Sequence, residues 1–144
     1  MNQVKVNYLA VAVASIAMWV LGMVWYTALG SQWMAYNSLT TDMTKSFSGG
    51  AMAAAYGGAF ISYFIAFYCF TYVMHAFQVN DIKGGLQAAF WSWLGFTVTA
   101  LYVSNAFAMR SFGLTLIDGG YWLVGFLIGS VILVKMKKKE TPAQ

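Results

Sequence analysis

Asp118 is the residue whose chemistry most needs an explanation. Of the thirteen side chains able to carry charge, only His75 and Asp118 fall inside long apolar stretches, and both sit near an end of one. A lone charge costs roughly 2.5 to 3.5 kcal/mol at mid-membrane on insertion scales, and less near the edge. Arg110 is the available counter-charge. In a tight helical hairpin, Arg110 just past one helix reaches Asp118 in the first turn or two of the next. Asn105 and Tyr121 lie at the same end, so Asn105, Arg110, Asp118 and Tyr121 form the candidate ligand or ion site. A second reading needs no ligand: Asp118, just before Gly119-Gly120, caps the last helix and meets the positive end of its dipole.

The rest of the chemical inventory is thin. One histidine, one cysteine and four acids, with no glutamate inside an apolar stretch, assemble neither a metal cage nor a nucleophile with its base and orienting acid. No glycine-rich phosphate loop follows a strand, and no aromatic-basic array is set to stack nucleic-acid bases. The chain is therefore read as a non-enzyme without cofactor or metal, and without a nucleic-acid partner. His75, at the C-terminal end of its helix, needs no function there, with a proton relay as the alternative. Cys69, among Phe67, Tyr68 and Phe70, reads as a small packing residue and has no second cysteine to pair with.

The elements that must position these residues are four apolar stretches, at residues 6–29, 52–77, 84–108 and 114–134. A helix rises about 1.5 Å per residue, so about 20 residues cross a hydrocarbon core about 30 Å thick. Only 8% of residues are charged and 60% are hydrophobic, far from the soluble norm of about 25% charged. Backbone groups in lipid must be paired internally, and continuous apolar runs suit helices rather than a barrel of alternating strands. The expected fold is an all-α integral membrane four-helix bundle forming one domain, residues 1–144, with an outer loop at 30–51 and a basic tail at 135–144. The first stretch has signal-like features, Lys5 ahead of it and Ala28-Leu29-Gly30 after, but is too long for a signal core and is read as a retained span.

With four spans both ends of the chain share a side. That side collects Lys5, Lys83, Lys135, Lys137, Lys138 and Lys139, against Lys45 and Arg110 on the other. The positive-inside rule places both termini of this multi-pass protein in the cytoplasm. Anionic lipid headgroups are the expected partners of Lys135, Lys137, Lys138 and Lys139. Gly50, Ala54, Gly58, Ser62 and Ala66 recur at every fourth residue through the second span, and Gly125 and Gly129 repeat the step in the fourth. Small residues let helices approach closely in lipid, so the second span is expected to lie centrally and the chain to self-associate. Trp25, Tyr26, Trp33 and Trp122 are expected as interfacial anchors. Tyr63 and Tyr68, deep in the second span, either line a cavity or bond to backbone. The sole proline, Pro142, lies in the tail, so no proline kinks are expected.

Several short motifs run through nearly the whole chain: Val6-Asn7-Tyr8-Leu9-Ala10-Val11, Leu21-Gly22 with Trp25-Tyr26, Trp33-Met34, Trp93-Leu94-Gly95-Phe96, and Ile117-Asp118-Gly119-Gly120-Tyr121. In these the chain resembles the small bacterial membrane proteins grouped as domain of unknown function family 1761. That family's pattern has a proline soon after the Trp-Tyr pair, where this chain has Thr27-Ala28. The resemblance implies four membrane spans in a bacterial inner (cytoplasmic) membrane and no particular activity. Two functions stay open: an oligomeric module that binds or transports a small solute, ion or lipid, and a non-catalytic scaffold or accessory subunit that packs through small-residue helix faces. A cavity lined by Asn105, Asp118 and Tyr121 favours the first, and a solid interior with an exposed glycine face favours the second. The four-helix small multidrug exporters are alike only in size, because their hallmark acid in the first span is missing here.

Overall fold

Side-chain caps set where the spans begin. In a computed structural model that describes residues 4–137, Asn7 accepts from the Ala10 amide at 3.4 Å and opens α1, Tyr8–Ala28. Ser48 caps α4, Gly49–Ala76, through the Ala51 amide at 3.1 Å. Asp81 caps the third span through the Gly84 amide at 2.8 Å, and Ser111 caps the fourth through the Gly113 amide at 3.2 Å. Each short polar side chain satisfies one of the orphan N–H groups at a helix start. No strand occurs among the described residues.

Four helices are long and apolar enough to cross a membrane: Tyr8–Ala28, Gly49–Ala76, Ile82–Phe107 and Phe112–Lys135. The segment read as an outer loop contains two short helices, α2 (Gly30–Tyr36) and α3 (Thr41–Lys45). Only Leu29 separates α1 from α2, and it keeps its N–H bonded to Trp25 at 2.9 Å. The chain thus bends at Leu29 without a proline. Two spans end in the same way. Gln78 and Met109 adopt left-handed φ of 52° and 53°, and the next amides reach back five residues, Val79 to Met74 and Arg110 to Asn105, both at 2.9 Å. This 6→1 closure satisfies carbonyls that a plain helix end leaves open.

The third span is not one regular helix. It runs as α5 (Ile82–Ser92), a π-helical stretch (Trp93–Val98) and α6 (Thr99–Phe107). Bonding between residues five apart brings Trp93 and Val98 towards the same face. Both meet Gly119 of α7 (Phe112–Lys135): the Trp93 indole donates to its carbonyl at 2.8 Å, and Val98 lies 3.1 Å from where its Cβ would be.

α7 is the hub of the bundle. It packs against α1 on one side and α5 and α6 on another, while α4 leans mainly on α1. The expectation that the second span lies centrally is thus corrected. Gly50, Ala54, Gly58 and Ser62 are exposed and Ala66 is half-buried, and a Cβ added at Gly58 meets nothing within 4 Å. The reason lies in how α4 makes its contacts. It buries the large side chains Phe67, Phe70 and Met74 from its C-terminal half, and Phe67 seats its ring against Gly129 of α7. Small residues on α7 receive large ones from α4, which leaves the small residues of α4 facing outward. Gly125 similarly receives Met18 of α1, whose atoms lie 3.0 to 3.1 Å from a built Cβ. Cys69, read as a packing residue, is exposed.

Candidate functional site

Asp118 lies within α7 rather than at its start. Ser111 is the cap and Phe112 the first helical residue, so Asp118 stands about 9 Å further along the axis at about 1.5 Å per residue. The capping reading of Asp118 is therefore corrected. Its side chain turns to the first span and its extension: Oδ1 accepts from the Tyr26 hydroxyl at 2.8 Å and from the Trp33 indole N–H at 3.1 Å. All three side chains are half-buried. Bonds from neutral donors to a carboxylate are charge-assisted and stronger than those between neutral groups.

Arg110 does not pair with Asp118. Its Nη1 donates to Asn37 Oδ1 at 3.3 Å, and Asn37 Nδ2 donates to the Trp33 carbonyl at 3.0 Å. The reason is that α2 and the residue after it give each charge its own neutral partner. Trp33 on α2 supplies a neutral donor to the acid, and Asn37 just beyond α2 supplies an acceptor to the base. Tyr36 of α2 also lies over Gly113 near the start of α7, where any side chain would collide with its ring.

The remaining candidates make their hydrogen bonds elsewhere. Asn105 is buried and donates to Thr115 Oγ1 at 3.0 Å. Tyr121 is 2% exposed and donates to the Met18 carbonyl at 2.9 Å, tying α7 to α1 across the centre. Its ring lies 5.3 Å from that of Tyr26.

Tyr26 and Trp33, read as interfacial anchors, carry the hydrogen bonds that hold the acid. Trp25 donates to the Ile117 carbonyl at 3.1 Å and Trp93 to that of Gly119 at 2.8 Å, so indoles from two spans grip the α7 backbone on either side of Asp118. Trp122 packs between Tyr63 and Phe126, with ring centroids 5.7 Å from each. Trp93 was not foreseen. Its signal was available, because an indole N–H inside an apolar span needs an acceptor. Gly119 and Gly120 make the grip possible: Val98 lies 3.1 Å from a built Cβ at the first, and Trp25 3.2 Å at the second.

Among the described residues no three of His, Cys, Asp and Glu come together as a metal-ligand group. Tyr68, with its hydroxyl 2.9 Å from that of Tyr72, faces outward rather than into a cavity. Lys135 is exposed. Lys137 turns inward to the Val79 carbonyl at 3.1 Å and Asn80 Oδ1 at 3.0 Å, and Lys138 and Lys139 lie outside the described residues.

Fold and site define the class, an all-helical multi-pass membrane protein with one acid held inside its central span by aromatic donors. Residues 9–134 match the family model described as protein of unknown function (DUF1761), and the chain belongs to that family. No curated protein and no solved structure matches it significantly.

Proposed function

We propose that the protein is a membrane module that binds a small cation at Asp118. One observation carries the reading: among the described residues both hydrogen bonds to this carboxylate fall on Oδ1, and none reaches Oδ2. No unpartnered side-chain oxygen or nitrogen is fully buried among those residues, so Oδ2 keeps some accessible surface. A carboxylate in apolar surroundings, hydrogen-bonded by neutral donors and held in no ion pair among the described residues, gains most from an arriving cation. The neighbouring rings, with Tyr26 edge-on to Trp33 at 5.8 Å, suit a weakly hydrated organic cation. Four spans enclose little volume, so the module is read as a homo-oligomer of the bacterial inner membrane, with both termini cytoplasmic.

The test is a titration of tryptophan emission with tetramethylammonium and, separately, sodium chloride, on purified protein and Asp118→Asn. Asn still accepts from Tyr26 and Trp33, so the variant keeps its fold. The wild type should show a saturable change that the variant lacks. The same response in both, or none in the wild type, overturns the reading.

The second reading is a non-catalytic scaffold, favoured by the outward small-residue face of α4 around Gly58. Cys69 is exposed on the same helix, so oxidative cross-linking in native membranes should trap a dimer in wild type and much less in Gly58→Leu. A dimer together with a negative cation titration makes the scaffold the better account. Absence of any cross-linked product counts against an α4 interface.

A further inference from the structure

We infer that the end of the bundle opposite Asp118 holds a phosphate-binding cleft, bounded by Lys5, Thr71, His75 and Lys137. The cleft has a volume of about 60 Å³ and lies between the approach to α1, the last turns of α4 and the end of α7. Roughly 10 to 15 Å³ of such space holds one water, so the cleft admits a compact polyatomic anion. Ala10, Met74 and Leu133 form its apolar floor.

The charge arrangement identifies the occupant. Lys5 and Lys137 both line this one small space, and none of its lining residues among the described residues is an acid. Two positive charges lining one cleft favour an anion between them. Lys137 spends two donors on Val79 and Asn80, which fixes its head in the wall and leaves its third N–H free. Lys5 is exposed and His75 half-buried, and among the described residues neither side chain has a hydrogen-bond partner. Asp81, two residues beyond the lining Val79, is occupied as the cap of α5 at Gly84. Lys5 ahead of α1, His75 near the end of α4 and Lys137 beyond α7 offer donors from three separate segments, which suits the several oxygens of an oxyanion. The cleft also sits at the ends of the spans, the level of lipid phosphates. The ligand chemistry is therefore a phosphate group, from a lipid headgroup or from free phosphate. The inference does not rest on the cation reading of Asp118.

The experiment compares wild type, the double variant Lys5→Gln/His75→Gln, and the control Lys45→Gln/Lys83→Gln, whose lysines lie outside the cleft. One arm titrates inorganic phosphate into detergent-purified protein and follows phosphorus NMR line width. The other measures enrichment of phosphatidylglycerol over phosphatidylcholine around the protein in mixed-lipid nanodiscs. Loss of charge-assisted bonds should weaken phosphate recognition about tenfold in the cleft variant, with the control near wild type. Response in the first arm identifies free phosphate, and response in the second alone identifies the headgroup. Equal loss in both variants reduces the effect to general surface charge and overturns the cleft. So does a wild type that responds in neither arm.

Discussion

α4 and α7 carry the same sequence device and use it in opposite ways. Both place small residues four apart, yet Gly125 and Gly129 of α7 are buried against Met18 and Phe67, while Gly50, Ala54, Gly58 and Ser62 of α4 face outward. The difference lies in the neighbours. α7 is approached from several directions by large side chains that need a gap. α4 supplies such side chains from its buried half and has none arriving at its small ones. A small-residue step is therefore a permission for close approach, and whether it is used depends on what the rest of the chain brings to it.

Filling the gap on α7 should break the comparison most severely. Gly129→Leu puts a side chain where the Phe67 ring lies. Overpacking typically costs about 1 to 3 kcal/mol and occasionally more, and with backbone and ring both held the loss should reach the upper end. Thermal unfolding in detergent measures it. A variant as stable as wild type means that α4 does not seat on α7 as described.

A middle-sized effect is expected where α7 carries its acid. Tyr26→Phe removes the shorter of the two hydrogen bonds to Asp118 and leaves the ring in place. Interhelical hydrogen bonds in membranes reach about 1.7 kcal/mol at most in measured cycles, and the charged acceptor puts this one near that ceiling. Combining the change with Asp118→Leu should cost less than the two single losses added together, because a stranded partner is removed. Strict additivity in a double-mutant cycle breaks the link between the two side chains.

The smallest effect belongs to α4. Gly58→Leu adds a side chain where nothing lies within 4 Å, so stability of the isolated chain should change by less than about 0.5 kcal/mol, the usual range for outward-facing positions. A large loss at Gly58 that appears only as protein concentration rises sharpens the comparison in another way, by showing that a second copy uses the face.

Length and apolarity carried most of the architecture. Span existence, all-helical class and approximate bounds follow from local facts, because each helix satisfies its own backbone and each stretch is long enough by itself to cross the hydrocarbon. The expected 114–134 and the observed Phe112–Lys135 differ by residues at the two ends. The caps Asn7, Ser48, Asp81 and Ser111 show why the starts fall where they do. The π-helical stretch at Trp93–Val98 has no proline to announce it, because it answers to Gly119 on another helix.

The site divides in the same way. That Asp118 needs a partner is a property of one residue in an apolar run, and the sequence alone establishes it. Which partner it takes was decided only by tertiary structure. Arg110 is near in the chain, yet Tyr26 lies 92 residues away and Trp33 85 residues away, and these two reach the carboxylate. The bend at Leu29 turns α2 across the end of the bundle, and no local pattern records where that turn carries an indole N–H. Hydropathy is written along the chain, residue by residue. Partner choice depends on distances between segments, and these exist only once the helices have packed.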